Sequence, residues 1–227
     1  MIRPGGSRAI ILCAILWTSS LWAADFSSYR DFQLGSSLAA AAEQAGVKPS
    51  EVKLVHQRPA LIQELDWRPG APYQSVVDQA DPVRESLLRF YNGELFQIVT
   101  TYDRQNVEGM TEADMVEAIS RTYGTATKPA IEIPYHSNYG ETASVIARWE
   151  DPEHSCSLVR TGDRTSYALI LSVKRLDALA QAAIVEARRL DALEAPQRAI
   201  DRQKEQEAKR RLALDEARAV NLPNFRP

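Results

Sequence analysis

The densest group of chemistry-bearing residues in the chain is Asp151 with Glu153-His154-Ser155-Cys156, which puts carboxylate, imidazole, hydroxyl and thiol groups side by side. Two chemistries suit those types. A thiol near an imidazole is the beginning of a nucleophilic pair, and carboxylate, imidazole and thiolate all ligate transition metals. Both demand convergence. A nucleophile needs the imidazole within hydrogen-bond reach of sulfur and a third group to orient it, and a metal needs three or four donors aimed at one point. An extended chain instead holds residues i and i+2 side by side, roughly 6 to 7 Å apart. The run therefore reads as a turn entering a strand. Cys156 reads as a small buried hydrophobe, with an intermolecular disulfide as the alternative.

The remaining histidines, His56 and His136, stand in other segments, and no pair has the i,i+4 spacing of a helical zinc site. There is no Gly-x-Ser-x-Gly elbow, no phosphate-cradling glycine loop and no dinucleotide fingerprint. Carboxylates are numerous but scattered, so no acid-base pair can be assigned. The sequence thus gives no catalytic, cofactor-binding or metal-ligating residue and calls for no cofactor, and the reading leans away from an enzyme.

The chain has 227 residues, 44% apolar and 25% charged, enough to bury a core without staples. Its 27 basic and 30 acidic residues leave a net charge of -3. That balance provides no positive field to gather phosphates, so nucleic acid is not an expected partner.

Arg3 and Arg8 precede the apolar run Ala9 to Trp17, and small residues follow before the first acid, Asp25. This is the layout of a secretory signal peptide over residues 1–24. The apolar run is nine residues, about half of the roughly 20 needed to span a bilayer, which favours cleavage. Cleavage after Ala23 or Ala24 places Leu21 or Trp22 where a small residue is preferred, so an uncleaved anchor near the membrane is the alternative. Leu12 before Cys13 argues against lipidation. The expected location is periplasmic or secreted. Loss of the leader removes two arginines and Cys13, so the exported part is more acidic and retains one cysteine, which cannot close an internal disulfide.

The order of elements then occurs twice. The stretch Leu34 to Gly46, with Ser36-Ser37 near its start, offers a serine cap, a helix-favouring run and a glycine stop. Alternation follows, with Leu61, Gln63, Leu65 and Trp67 on one side and Ile62, Glu64, Asp66 and Arg68 on the other. Two extended runs, Arg84 to Tyr91 and Glu94 to Tyr102, flank Asn92-Gly93, a two-residue hairpin signal. In the second copy Thr111 caps a helix with Asp114 three residues on, Met115, Val116, Ile119 and Tyr123 fall at helical spacing, and Gly124 ends it. Strands at Ser144 to Trp149, Cys156 to Thr161 and Ser166 to Lys174 follow, with a Gly162-Asp163 turn. Gly46 aligns with Gly124, Trp67 with Trp149 and Asn92 with Gly162, at offsets of 78, 82 and 70 residues. The expected fold is α+β: tandem units of one helix plus three strands (29–103 and 104–175) merging into one antiparallel sheet. The two tryptophans read as core residues packing on the helices, with an aromatic ligand grip as the alternative.

Both faces of the Asn92-Gly93 hairpin are apolar, with Phe90, Leu95 and Val99 on one and Leu87, Phe96 and Ile98 on the other. A second covering layer is needed. Leu176, Leu179, Ala183, Ala187, Leu190 and Leu193 form the stripe of an amphipathic helix over 176–195 that supplies it. Pro196 is expected to interrupt that helix. Residues 197 to 220 carry i,i+4 pairs such as Glu205 with Lys209, and their apolar positions are too sparse for a continuous coiled-coil seam. They read as a solvated helix projecting from the body, followed by a tail, 221–227, too rich in proline to continue it.

Gly109-Met110-Thr111, a helix of about three turns, Gly124 and strands including Trp149 resemble the small BamE/SmpA type of outer-membrane assembly protein. In that family a Gly-Met-Thr start leads into one helix or a helix pair on an antiparallel sheet. Two such units in tandem are also similar to the beta-lactamase inhibitor protein architecture. The resemblance covers residues 29–175. It implies a fold and a habit of binding proteins in the envelope, and no individual functional residue. The chain departs from the pattern in lacking a lipid-attachment cysteine, in reading Leu34-Gly35-Ser36-Ser37 in the first copy, and in its tail. The function expected is a non-catalytic, exported protein-binding or assembly module with an unidentified protein partner. The alternatives are a small-ligand binder or enzyme with a pocket between sheet and helices, and a secreted enzyme inhibitor.

Overall fold

A computed structural model describes residues 25–69, 81–127, 134–136, 142–161, 166–224 and 226. The expected leader at 1–24 and the expected Gly162-Asp163 turn lie outside them. Ten strands and three α-helices follow in the order β1 (Ser28–Tyr29), β2 (Phe32–Gln33), α1 (Leu38–Ala45), β3 (Lys53–His56), β4 (Ile62–Trp67), β5 (Val83–Tyr91), β6 (Glu94–Tyr102), α2 (Glu112–Tyr123), β7 (Pro134–His136), β8 (Thr142–Glu150), β9 (His154–Thr161), β10 (Ser166–Val173) and α3 (Lys174–Asn224). The architecture is α+β. β3 to β10 form one antiparallel sheet in the order β3-β4-β5-β6-β10-β9-β8-β7, and β1-β2 is a separate hairpin.

Each half of the sheet is a four-stranded meander, and the two meet through their last strands. The expected three strands per unit is corrected to four. β3 and β7 escaped notice because they are short, and β7 begins with a proline that marks it as an edge strand. Both are outermost in the sheet, where short strands carrying Lys53 or Pro134 discourage pairing with another chain. At the centre Val99 faces Ile170, so the strand order is symmetric about that pair. Trp67 pairs with Ser86 in one half and Trp149 with Cys156 in the other, and the next strands bring Thr100 opposite Ser86 and Leu171 opposite Cys156.

Local chemistry explains the helix ends and the hairpin. The Ser37 hydroxyl accepts from the Ala40 N–H, and Gly46 closes α1 in the left-handed region at φ 68°. Thr111 and Asp114 cap each other reciprocally at the start of α2. Asn92 and Gly93 take φ 51° and 83°, the double left-handed turn that matches strand twist.

α1 and α2 cover one face of the sheet. The core there joins Leu65, Trp67, Leu88, Phe90, Trp149, Cys156 and Leu171 to Met115, Ile119 and Tyr123 of α2. The first part of α3 covers the other face over the first unit, where Leu176, Ala180 and Ile184 pack on Ile62 and Phe96. Two facing assignments are corrected. Phe96 is an extra residue between the Arg89-Gln97 and Phe90-Leu95 pairs, and this bulge sends Ile98 to the α1/α2 face and Val99 to the opposite one. The buried stripe of α3 runs through Leu176, Ala180, Ala183, Ile184 and Ala187, whereas Leu179 and Leu193 are 43% and 64% exposed.

Pro196 does not end the helix, and neither does Pro223. α3 is one element of 51 residues with both prolines inside it, so the expected break at 196 and the non-helical tail are corrected. Just past Pro196, Arg198 reaches back along the helix and donates to the carbonyl and the carboxylate of Asp191, each at 2.9 Å. Near the end the Asn224 amide donates to the Val220 carbonyl at 2.8 Å.

Candidate functional site

The structure disperses the residues that sequence chemistry singled out. Asp151 forms a turn, accepting from the Glu153 and His154 N–H groups at 2.7 and 2.6 Å, with its other oxygen 3.2 Å from His154 Nδ1. Burial pushes its carboxyl up, but these donors outweigh it and the net shift is downward. Ser155 points to the α3 side of the sheet and meets Ser172 at 3.0 Å. Cys156 is fully buried in the opposite core, and burial raises its thiol, so the thiolate a nucleophile needs is disfavoured. His56 lies on β3 and His136 on β7, at opposite edges of the sheet. Among the described residues no group of three or more His, Cys, Asp or Glu could hold a metal ion.

Both tryptophans are buried. The Trp149 indole N–H donates to the Gly124 carbonyl at 3.0 Å and lies 3.3 Å from the Ser120 hydroxyl, tying β8 to the end of α2. Trp67 packs edge-on against Phe32, with centroids 5.2 Å apart. Core anchoring is what these positions do.

Three arrangements remain that could serve function. The first is the distal part of α3. From Ala195 to Asn224 every residue is exposed, and at 1.5 Å per residue this arm is about 45 Å long. Its root is fixed. Lys174 binds Glu150 at 2.8 Å and the Asp151 carbonyl at 2.7 Å, and this pairing holds the Glu150 carboxyl below its usual range. Further along, the Arg58 guanidinium pairs with Glu194. The arm carries exposed Ile200, Leu212, Leu214, Val220 and Leu222 among its charges.

The second is a buried polar chain beneath α3. Arg89 donates to Glu64 at 3.2 Å and to Gln97 at 2.8 Å, and the Gln97 amide donates to Asp177 in the first turn of α3 at 3.2 Å. The Arg89 guanidinium lies 5.5 Å from the centre of the Phe96 ring. Burial raises the Asp177 carboxyl against the opposing pull of Gln181 and Arg89. Sequence reasoning passed over this group. Its signal was present in Glu64, Arg89 and Gln97 on strands whose neighbours are apolar on both faces.

The third is a cavity of about 520 Å³ between α2, the β1-β2 hairpin, the end of β6 and the middle of β10. Leu169, Val107, Met115 and Ile119 give it an apolar lining, and Tyr29, Tyr102 and Tyr123 contribute phenols. At its mouth Arg30 is locked to Asp81 by two bonds of 2.8 and 2.7 Å, and its guanidinium lies over the rings of Tyr29 and Trp67. His154 is not part of the lining. The tyrosines carried no motif, since only folding brings residues 29, 102 and 123 together.

No family model matches the chain, and neither a curated protein nor a solved structure does. Among the described residues no helix is long and apolar enough to cross a membrane.

Proposed function

We propose that this chain is an exported, non-catalytic envelope protein that binds another protein through its sheet-and-helix body and its projecting C-terminal helix. The observation that carries the reading is the arm from Ala195 to Asn224, exposed throughout yet continuous with a segment packed on the sheet. A helix with so little apolar contact gains nothing for the fold of its own body. Its exposed leucines, isoleucine and valine become useful on burial against a partner. Export rests on the basic, apolar and small-residue layout of residues 1–24, which supports a body in the periplasm or outside the cell. The dispersed histidines and the buried Cys156 support a non-catalytic role.

The test compares the full mature chain with one ending at Ala195 as bait in an envelope extract. Partners recovered by the full chain and lost with the shortened one support the arm's role. Equal recovery removes the arm from the account. Export is tested by fusing residues 1–24 to a reporter active only outside the cytoplasm, where a silent fusion overturns it.

A further inference from the structure

We propose that the cavity between α2 and the β1-β2 hairpin is a binding site for an uncharged, largely apolar small molecule, planar enough to lie among tyrosine rings and bearing a hydrogen-bond acceptor such as a ketone or ester carbonyl. The volume of about 520 Å³ falls within the range of small-ligand pockets, about 300 to 1,000 Å³. Most of the wall is apolar, and two of its side chains, Met110 and Met115, are polarisable thioethers that adapt to a flat ring.

The polar groups define the rest of the ligand. Burial raises all three phenols, Tyr29, Tyr102 and Tyr123, and Tyr102 is raised further by Tyr29, Cys156 and Tyr123 against the pull of Arg30. Each keeps its proton at neutral pH; Tyr29 already shares its hydroxyl with Thr100 and Arg30, whereas Tyr102 and Tyr123 are left with an O–H donor, which calls for an acceptor on the ligand. Among the described lining residues the one charged group is Arg30, and Asp81 already takes two of its N–H donors. An anion would have to displace that carboxylate. A cation would meet a guanidinium at the mouth that already occupies the Tyr29 ring face. A neutral molecule faces neither cost.

The rim is held before any ligand arrives. Arg30 is fixed by Asp81, the Asn106 amide donates to the Asp81 carbonyl at 2.7 Å, and Phe26 stacks on Tyr123 with ring centres 5.5 Å apart. Such preorganisation lowers the cost of binding. None of the lining residues belongs to the arm, so this site and the arm's role stand or fall separately.

The test uses the full mature chain and Prodan, a neutral naphthalene with one ketone whose emission shifts to the blue in apolar surroundings. The expected result is saturable binding at one site per chain. Ala118→Trp, on the exposed side of α2 at the cavity wall, should weaken it more than about tenfold by filling the space. Tyr102→Phe keeps the ring and removes the donor. It should weaken Prodan about five- to tenfold, while 2-dimethylaminonaphthalene, which lacks the ketone, changes less than about twofold. Circular dichroism matching the wild type secures the fold of each variant. No saturable binding, or wild-type affinity in Ala118→Trp, overturns the site. Equal sensitivity of both probes to Tyr102→Phe overturns the acceptor assignment, and anilinonaphthalene sulfonate binding as tightly as Prodan overturns the preference for a neutral ligand.

Discussion

Ile184→Ala separates the part of α3 that belongs to the fold from the part that projects. Ile184 is 1% exposed and packs with Leu176 and Ala180 on Ile62 and Phe96. Truncating a buried isoleucine to alanine removes its transfer energy and leaves a cavity, together costing about 2 to 5 kcal/mol. Here the loss sits between a helix and a sheet that other contacts hold in place, including the polar chain through Asp177 and the Lys174 pairings at the root. The gap therefore cannot collapse fully, and a cost of about 3 kcal/mol is expected. For a domain of this size about 1 kcal/mol moves Tm by roughly 2 to 4 °C, so the variant should melt roughly 6 to 12 °C lower. The control is Leu214→Ala on the arm, where the side chain is 61% exposed and the change should stay within about 0.5 kcal/mol. Differential scanning calorimetry of residues 25–227 reads both. Equal small shifts would refute the argument, because they would mean that the start of α3 is no more bound to the sheet than its end.

Trp149→Phe removes the indole donor to the Gly124 carbonyl at 3.0 Å, leaving the end of α2 short of a partner; the expected loss is about 1 to 3 kcal/mol, read as a lower urea midpoint at unchanged slope, and an unmoved midpoint contradicts the anchoring role. Asp177→Asn probes the raised carboxyl under α3. Because the folded value exceeds the unfolded one, the native chain binds more protons between the two, and stability falls as pH rises through that window. Asparagine keeps an oxygen for the Gln97 and Gln181 donors and does not titrate, so the variant should lose this slope, and wild type should gain on it as pH is lowered; parallel Tm profiles sink the claim.

Legibility followed the range of the interaction. Caps, the Asn92-Gly93 hairpin and the strands around Trp67 and Trp149 depend on neighbours in sequence, and each was readable from spacing. The need for a second covering layer was also readable, since both faces of the Asn92-Gly93 hairpin are apolar and the one bearing Phe96 could not be left facing water. The faces of Ile98 and Val99 were not, because one bulge residue inverts every assignment after it. The continuity of α3 through Pro196 was missed because propensity treats proline as a break, while on this exposed stretch the Ala192 carbonyl that Pro196 cannot serve is open to water. The cavity was out of reach for another reason. Tyr29, Tyr102 and Tyr123 converge only through the pairing of β6 with β10 and the seating of α2, and no local pattern encodes that.

The polar chain beneath α3 has a consequence for the direction of the arm. Contacts of Leu176, Ala180 and Ile184 with the sheet are non-directional, so a purely apolar seat would allow the helix to roll or slide. Hydrogen bonds running from Glu64 through Arg89 and Gln97 to Asp177 are satisfied in one register only, and a tilt of a few degrees at the root is multiplied along about 45 Å of arm. Removing one member strands a buried charge, so Arg89→Met alone should cost about 3 to 5 kcal/mol. Pairing it with Glu64→Leu should recover most of that loss, since a buried ion pair replaced by well-packed apolar residues is commonly neutral or stabilising. Orientation should not recover. Spin labels at Leu54→Cys on β3 and Leu212→Cys on the arm, both on exposed positions, would give a broader distance distribution in the double variant than in the wild-type background. Restored stability with an equally narrow distribution would show that shape alone aims the helix and that the polar chain does not.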